Sequence, residues 1–298
     1  MTETDVRKSK VNIKIQKKRG AGIGLAALFV LLALVAAAWV YGQLCGGVPE
    51  NEAYFYFFDV GQADAAAVVT HDGCILIDAG SNASEEKLLY MLRSAGIKHI
   101  DLAIFSHPHE DHIGGADFVL ENIAVDELLM PDGGSGEDEY RRLCNAAARK
   151  NIKNVTAYDG YSRVLGGLNI EVLSSGGEDE NEASTVVRVA FGKTVAVFTG
   201  DAGIETEKSL MKKYPRDKLE CDILKVGHHG SLTATCREWA ELLSPDYAVV
   251  SCSGTNTFGH PDYRVLRLLR GAGANICRTD TDGTVLLISD GQNVRIGK

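Results

Sequence analysis

The 298-residue sequence predicts an α/β domain of two β-sheets, each covered by helices, behind a single membrane-crossing helix. Three observations carry that expectation: a charge-free apolar run over residues 21–41, short β-like runs that end in Asp or His beside Gly, and amphipathic stretches that alternate with them. An apolar content of 45% over this length is enough for one large domain core.

The membrane-crossing segment comes first. Residues 24–40 are almost wholly Leu, Ala, Val, Phe, Ile and Trp, matching the ~20 residues that span a bilayer. Arg7, Lys8, Lys10, Lys14, Lys17, Lys18 and Arg19 precede it against only Glu3 and Asp5, so the positive-inside rule holds the N-terminus in the cytoplasm and exports the rest. Trp39 and Tyr41 sit where an interfacial aromatic belt belongs. Ala36-Ala37-Ala38 resembles a cleavage site, which makes secretion after signal cleavage the alternative, but the run exceeds the ~7–15 residues of a signal peptide core. The expected division is a basic cytoplasmic tail (1–20), an anchor (21–43), a linker (44–52) and an extracytoplasmic domain (53–298). Setting aside the seven basic and two acidic residues of the tail leaves 24 Lys+Arg against 38 Asp+Glu, a net charge of −14. Such a domain does not attract polyanions over its whole surface, so a nucleic acid substrate would need the metals and a local basic patch. None of the seven cysteines forms a C-x-x-C pair, which argues against a thiolate zinc site; Cys74 and Cys252 read as small core residues.

Beyond the linker, residues 54–60 and Ala65–Thr70 read as strands around Gly61-Gln62-Ala63-Asp64, and residues 74–77 as a third ending at Asp78-Ala79-Gly80. A helix over 84–95 has an acidic start, Arg93 near its end and Gly96 as its stop. Residues 102–105 form a buried strand. Ala116–Asn122 and residues 139–150 are helical around an acidic Gly-rich loop at 132–139, residues 168–173 are a strand, and 174–182 form a mobile polar surface loop. Val186–Phe191 and Thr194–Phe198 pair as a hairpin across Gly192-Lys193. Strands follow at 223–226, 247–251 and 284–288, with helices at 205–213, Arg237–Leu243 and 263–272.

Chemistry concentrates directly after the 102–105 strand. His107-Pro108-His109-Glu110-Asp111-His112 packs three imidazoles and two carboxylates into six residues, a density that points to metal. A strand ending in a tight Pro-containing turn lets His107 and His109 reach one ion while Asp111 and His112, past the turn, reach a second. Gly114-Gly115 permit close backbone approach. Two later strand ends add ligand-type residues beside glycine: Thr199-Gly200-Asp201 and Gly227-His228-His229-Gly230-Ser231.

These segments resemble the metallo-β-lactamase superfamily, with its H-x-H-x-D-H loop, bridging Asp and later His. The likeness narrows to the hydrolase domain of the ComEC competence proteins through Phe58-Asp59-Val60-Gly61-Gln62-Ala63-Asp64-Ala65, Thr199-Gly200-Asp201, Lys225-Val226-Gly227-His228-His229-Gly230-Ser231 and Ser253-Gly254-Thr255-Asn256-Thr257-Phe258-Gly259-His260-Pro261, and it covers residues 54–296. The resemblance implies an αββα four-layer sandwich and two divalent metal ions. His107 and His109 would hold one ion and Asp111 and His112 the other; Asp201 would bridge them, and one of His228 and His229 would complete the second site while the other meets the scissile group. It also implies a supporting role for Asp78, and places Gln62, Asp64, Asn256 and His260 on loops rimming the same cleft. Two departures stand out: no His lies between His112 and His228, where many members supply a third ligand to the first ion, and Ala63 replaces a usual Gly.

Ligands of nitrogen and oxygen without thiolate suit zinc, manganese or iron. Two such ions activate water and stabilise charge on a phosphoryl oxygen, so phosphodiester hydrolysis is the leading reaction, with Asp111, His228, His229 and His260 the candidate catalytic groups and Ser231 a turn residue. Three functions compete: an externally facing nuclease acting beside a separate DNA-uptake channel protein, a phosphoesterase on a small or cell-wall substrate of phosphocholine-ester type, and a non-catalytic ligand-binding homologue.

Overall fold

The computed structural model describes residues 47–131, 136–177 and 179–297. The expected tail and membrane anchor lie outside the described residues, as do Cys45 and the first half, 132–135, of the acidic loop expected at 132–139. Among the described residues no helix is long and apolar enough to cross a membrane. Residues from Gly47 onward form one compact unit.

In chain order the first half supplies β1 (Ala53–Phe57), β2 (Ala65–Thr70), β3 (Cys74–Ala79), β4 (His99–Ile100), β5 (Leu102–Ile104), β6 (Ala124–Val125), β7 (Glu127–Met130) and β8 (Lys153–Thr156). The second half supplies β9 (Ser162–Leu165), β10 (Leu168–Ser174), β11 (Val186–Phe191), β12 (Thr194–Phe198), β13 (Ile223–Lys225), β14 (Tyr247–Val250), β15 (Asn275–Arg278), β16 (Val285–Ser289) and β17 (Val294–Ile296). The helices are α1 (Glu85–Ser94), α2 (Glu110–Ile113), α3 (Ala116–Asn122), α4 (Asp138–Lys150), α5 (Ile204–Lys213), α6 (Arg216–Leu219), α7 (Arg237–Leu243), α8 (Tyr263–Gly271) and α9 (Thr279–Asp282).

One sheet has the order β17-β16-β1-β2-β3-β5-β7-β8 and the other β15-β14-β13-β12-β11-β10-β9, while β4 and β6 pair separately. Alternation explains how both faces of each sheet are buried. In β3, Ile75 and Ile77 point between the sheets, where they join Phe55, Val68, Ile104, Val189 and Phe198; Leu76 points outward to Leu88 and Leu92 of α1 and Leu143 of α4. The second sheet mirrors this, with Val197 and Leu224 packed under Leu210, Trp239 and Leu269 of its helices. Phe57 stacks on Phe198 across the interior at 5.8 Å between ring centroids. The four layers, helix, sheet, sheet, helix, match the predicted sandwich.

Each sheet is part antiparallel and part parallel. β3, β5 and β7 run parallel in one, and β12, β13 and β14 in the other. Parallel neighbours bring their C-terminal ends to one edge, where open α/β sheets place their sites. All the strand ends that carry Asp or His in the sequence are therefore gathered along one rim of the sandwich. The expected hairpin is present with Phe191 opposite Thr194, and the helix ends agree within one residue for all six predicted helices.

The segment after the second histidine pair is anchored from α5. Glu207, buried on that helix, accepts the backbone N–H groups of Thr235 and Cys236 and so caps the start of α7. Burial pushes its carboxyl up to about 7, against hydrogen bonds that pull it down. A carboxyl raised from 4.5 in the unfolded chain contributes stability that is full below the unfolded value and lost as pH rises through the folded one. Between pH 5 and 8 the protein is expected to lose up to about 3 kcal/mol that Glu207→Gln does not lose. Urea unfolding of both proteins at the two pH values measures the difference; equal pH dependence would refute the burial-raised carboxyl.

Candidate metal centre

The site begins where β5 ends. Phe105 N–H still bonds to Leu129 of β7, and Ser106 then donates both its N–H and its hydroxyl to Asp78. Asp78 itself has φ of 57°, a conformation uncommon outside glycine, which turns its carboxylate toward Ser106 and His112. His107 Nε2 and His109 Nδ1 approach to 3.0 Å. Past His109 the chain does not continue as an open turn: it enters the single helical turn α2, favoured by the extended His109 at its start and by Glu110 and Asp111 in its first turn. Asp111 and His112 are thus presented from a helix. Gly114 and Gly115 let this turn lie on the 79–82 backbone, since a Cβ on Gly115 would sit 2.5 Å from Ala79 O.

Asp201 follows β12 through Gly200, whose φ of 53° and 2.7 Å clearance from Ser106 Cβ leave no room for a side chain. The two carboxylate oxygens of Asp201 face different imidazoles. Oδ1 lies 3.2 Å from His112 Nε2 and 4.0 Å from His229 Nε2; Oδ2 lies 3.5 Å from His228 Nε2 and 3.9 Å from His107 Nε2. Adjacent histidines reach opposite oxygens because both adopt left-handed backbone angles, with φ of 47° and 52°. Such residues cost about 1–3 kcal/mol each and persist only where surroundings enforce them. Here His228 N–H bonds to Gly200 O, His228 Nδ1 sits 2.9 Å from Thr233 Oγ1, and His229 Nδ1 sits 3.0 Å from Ser251 O. His229 Nε2 is 3.1 Å from Asp111 Oδ2.

Asp111, His112, Asp201 and His229 each offer a ligand atom within 4.8 Å of the others, a spacing that could hold one cation. His112 Nε2 and Asp201 Oδ1 are buried and, though 3.2 Å apart, neither forms an aligned hydrogen bond. Orphaned buried polar atoms that converge in this way fit a metal. The charges of the cluster's own side chains balance by proton location. Burial opposes the charged form of His112, but Asp201 and Asp78 more than offset it and hold its pKa well above the ordinary value. Asp201 is held well below the usual carboxylate range by His112, His229 and His107, again against burial. Burial and the neighbouring His112 push His107 well down, leaving it neutral.

Beneath these groups lies a second polar layer. Asp64, Asp78 and His112 also converge within 4.8 Å, but a cation is already there: Lys225 Nζ is 2.6 Å from Asp64 Oδ2, both side chains being at most 5% exposed. Asp64 Oδ1 is 3.5 Å from His229 Nδ1. Asp64 was expected on the rim of the cleft and is instead buried under it, because the Gly61–Asp64 turn passes inside the sandwich edge and its N–H bonds to Asp111 O. Gln62 and Asn256 face backbone groups and not the imidazoles. Gln62 accepts from Ser253 N–H, and Asn256 ties together Ser253, Phe258 and His260 by their backbones, so both brace the loop that carries His260. His260 lies beside His228, with ring centroids 5.7 Å apart, and its Nδ1 is buried without a partner. Ala63, fully buried, does not require a positive φ, so the missing Gly costs nothing.

Several participants had no partner assigned from the sequence. Glu180 accepts from His109 Nε2 at 2.9 Å and Glu182 binds Thr206, so the loop expected to be a mobile surface segment is tied at two points to the site and to α5. Ser184 accepts the Asp201 N–H. Lys225 had a signal, since a lone charge inside the apolar run of β13 demands a buried partner. His71 and His99 are surface groups, bonded to Val48 O and Asp126. The six described cysteines are unpaired, Cys74 and Cys252 among the buried ones.

Removing one partner of a buried ion pair strands the other charge, at about 3–5 kcal/mol. Lys225→Met is expected to destabilise the fold by that amount, and adding Asp64→Asn should recover part of it. Chemical denaturation of the single and double variants decides this; strictly additive losses would show that the pair is not coupled.

Comparison with known proteins places the arrangement in a family. A family model for the metallo-beta-lactamase superfamily matches residues 58–254. The chain is 32% identical over 257 residues to ComE operon protein 3 of Bacillus subtilis, covering 79% of this chain and 33% of that protein. To competence protein ComA of Neisseria gonorrhoeae it is 31% identical over 275 residues, covering 87% and 37%. It thus spans about a third of the length of these relatives. Among solved structures, Igni18, a metallo hydrolase from Ignicoccus hospitalis, shares the fold with a TM-score of 0.52 at 18% identity, over 78% of this chain and 98% of that one. The resemblance read from the motifs is borne out: the chain belongs to the metallo-beta-lactamase superfamily, as a relative of the ComEC-type competence proteins.

Proposed function

We propose that the chain is a metal-dependent phosphodiesterase that cleaves DNA strands outside the cell, anchored by its N-terminal apolar segment. One observation carries the chemistry: Asp201 turns its two oxygens toward two separate sets of imidazoles. A bridging carboxylate between two divalent cations, zinc or manganese, needs that disposition. In this reading His107 through Nε2 and His109 through Nδ1 form the first set, and Asp111, His112 and His229 form the second. His228 stands on the Oδ2 side with His107, where the absent third histidine leaves the first set short, so His229 is the ligand of the second set and His228 completes the first. Two bound divalent ions supply a hydrolytic nucleophile at neutral pH and neutralise charge developing on a phosphoryl group.

The chain's own residues do the positioning. Asp78 accepts a hydrogen bond from His112 Nδ1–H, and Ser251 O and Asp64 face His229 Nδ1, which leaves each Nε2 free to point into the site. Glu180 fixes the His109 ring in the same way, leaving Nδ1 directed at His107 Nε2. In this reading His260, at the mouth, offers the leaving oxygen an N–H hydrogen bond rather than a proton. Its neighbour His228 and its own partial burial lower its pKa, with burial the larger cause, so the neutral ring is the working form.

Phosphodiesters of DNA are favoured as substrate because the relatives are named for competence and recombination. Those relatives are about three times longer than the matched region, and a separate uptake channel protein is the expected partner. Incubated with labelled DNA and either manganese or zinc, the full-length protein should cleave it, and chelator should abolish cleavage. Asp201→Asn and Asp111→Ala should lower kcat by more than about 100-fold, beyond the ~10–100-fold typical of changes around a metal ligand. Turnover of phosphocholine or chromogenic diesters with DNA left intact would transfer the activity to small substrates, and failure to bind any metal would leave a ligand-binding homologue. Topology has its own test: protease added to intact cells should digest the domain, and protection would reverse the orientation.

A further inference from the structure

Beside the metal centre the surface changes character. Phe258 is 71% exposed and its ring stacks on His260, with centroids 5.8 Å apart and planes 25° apart; His260 in turn contacts His228. Asp262 N–H bonds to Gly230 O at 2.9 Å, which seats the first turn of α8 directly on the histidine turn. Tyr263, also 71% exposed, opens that helix, with the Arg264 guanidinium 5.9 Å from its ring centre. Arg264, Arg267 and Arg270 then recur every third residue, all exposed, over about 9 Å of helix rise. A groove of about 400 Å³ between α7 and α8 is lined by Arg237, Glu241, Arg264, Arg267, Leu268 and Gly271.

The charge balance of this face is one-sided. Arg264 is engaged by Asp262 and Arg237 leans on Glu241 at 3.6 Å, but Arg267 and Arg270 have no carboxylate partner among the described residues. α8 itself contains no Asp or Glu. A solvated helix face ordinarily interleaves both signs, and here four arginines gather in a chain that is strongly acidic beyond its tail. Exposed rings stack only on bases whose faces are free, which a duplex does not offer.

We propose that this face is the path of a single-stranded nucleic acid, with bases stacked on Phe258 and Tyr263 and phosphates laid along Arg264, Arg267 and Arg270 toward His260 and His228. It rests on the phosphodiesterase reading and names the substrate class of the same centre.

Fluorescence anisotropy of the full-length protein with a labelled strand of about 20 nucleotides, in chelator and over a range of salt, tests it. Arg267→Glu with Arg270→Glu should weaken binding at least tenfold. Removing two phosphate contacts at ~0.7 each should also flatten the slope of log affinity against log salt by about 1.4. Phe258→Ala should weaken binding about fivefold or more with the slope unchanged, since base stacking carries no counterion release. The basic N-terminal tail is common to all the proteins and cancels from the comparison. Equal affinity and slope in wild type and the arginine variant would overturn the path. So would a variant that binds the strand normally and instead loses adhesion to phosphatidylglycerol vesicles, which would make the face a membrane contact. Turnover of bis(p-nitrophenyl) phosphate by the same wild-type preparation, with metal restored, separates the two readings. Strand binding that follows these expectations without any turnover supports the path and removes the phosphodiesterase.

Discussion

A carboxylate buried among imidazoles organises this molecule. Asp201 is 3% exposed, and four histidine rings from two distant segments come within about an ion-pair distance of its two oxygens. An isolated carboxylate in such a place would be costly enough to protonate or to unfold the segment that carries it. The surrounding imidazoles, and the proton that His112 retains, make the ionised form tolerable. The same requirement extends downward: Asp64 survives burial because Lys225 is beside it, and Asp78 because it receives Ser106 and His112. Each charge in the stack is answered by a neighbour, until the last pair of atoms, Asp201 Oδ1 and His112 Nε2, is left facing without an aligned bond. That residual mismatch is where a cation belongs.

The sandwich makes this stack possible by geometry rather than by loop design. Parallel strands in both sheets end on one rim, so each apolar strand delivers a polar residue to the same place as its hydrophobic neighbours run out. The interior contact of Phe57 with Phe198 lies only three residues before Asp201 and locks the two sheets together just inside the site. Glycines mark the points of closest approach, and at Gly200 and Gly115 the space for a Cβ is absent. Stability and function therefore draw on the same crossing point, and the polar layer over it is rigid because its backbone is held by strands on two sides.

Much of this was legible before any coordinates. The histidine loop, the two strand-end motifs and the hairpin are local features whose period or density announces them, and each was found with its expected neighbours. Less legible were elements defined by partners far along the chain. β8 is a short, largely polar edge strand without period-2 alternation, β17 has only three residues, and β7 carries the charged Glu127, so neither pattern nor length set them apart from loop. α2 is a single turn that looked like an extended Pro turn. The burial of Asp64, the bracing of Ser253 by Gln62 across 191 residues and the reach of Glu180 to His109 are tertiary outcomes with no local signature.

The choice between the two adjacent histidines shows why geometry was needed. In an extended segment neighbouring side chains point to opposite faces, and one of the pair would leave the site altogether. In a helix they would diverge by about 100° and again only one would serve. Two successive left-handed residues, paid for by bonds to Gly200, Ser251 and Thr233, fold the backbone so that both Nε2 atoms converge on one carboxylate from its two sides. A sequence can display the pair His228-His229, but only the strain imposed on it divides the labour between them. His228 stands on the Oδ2 side of Asp201 with His107, and on the proposed assignment it fills the place of the histidine that the first set lacks upstream.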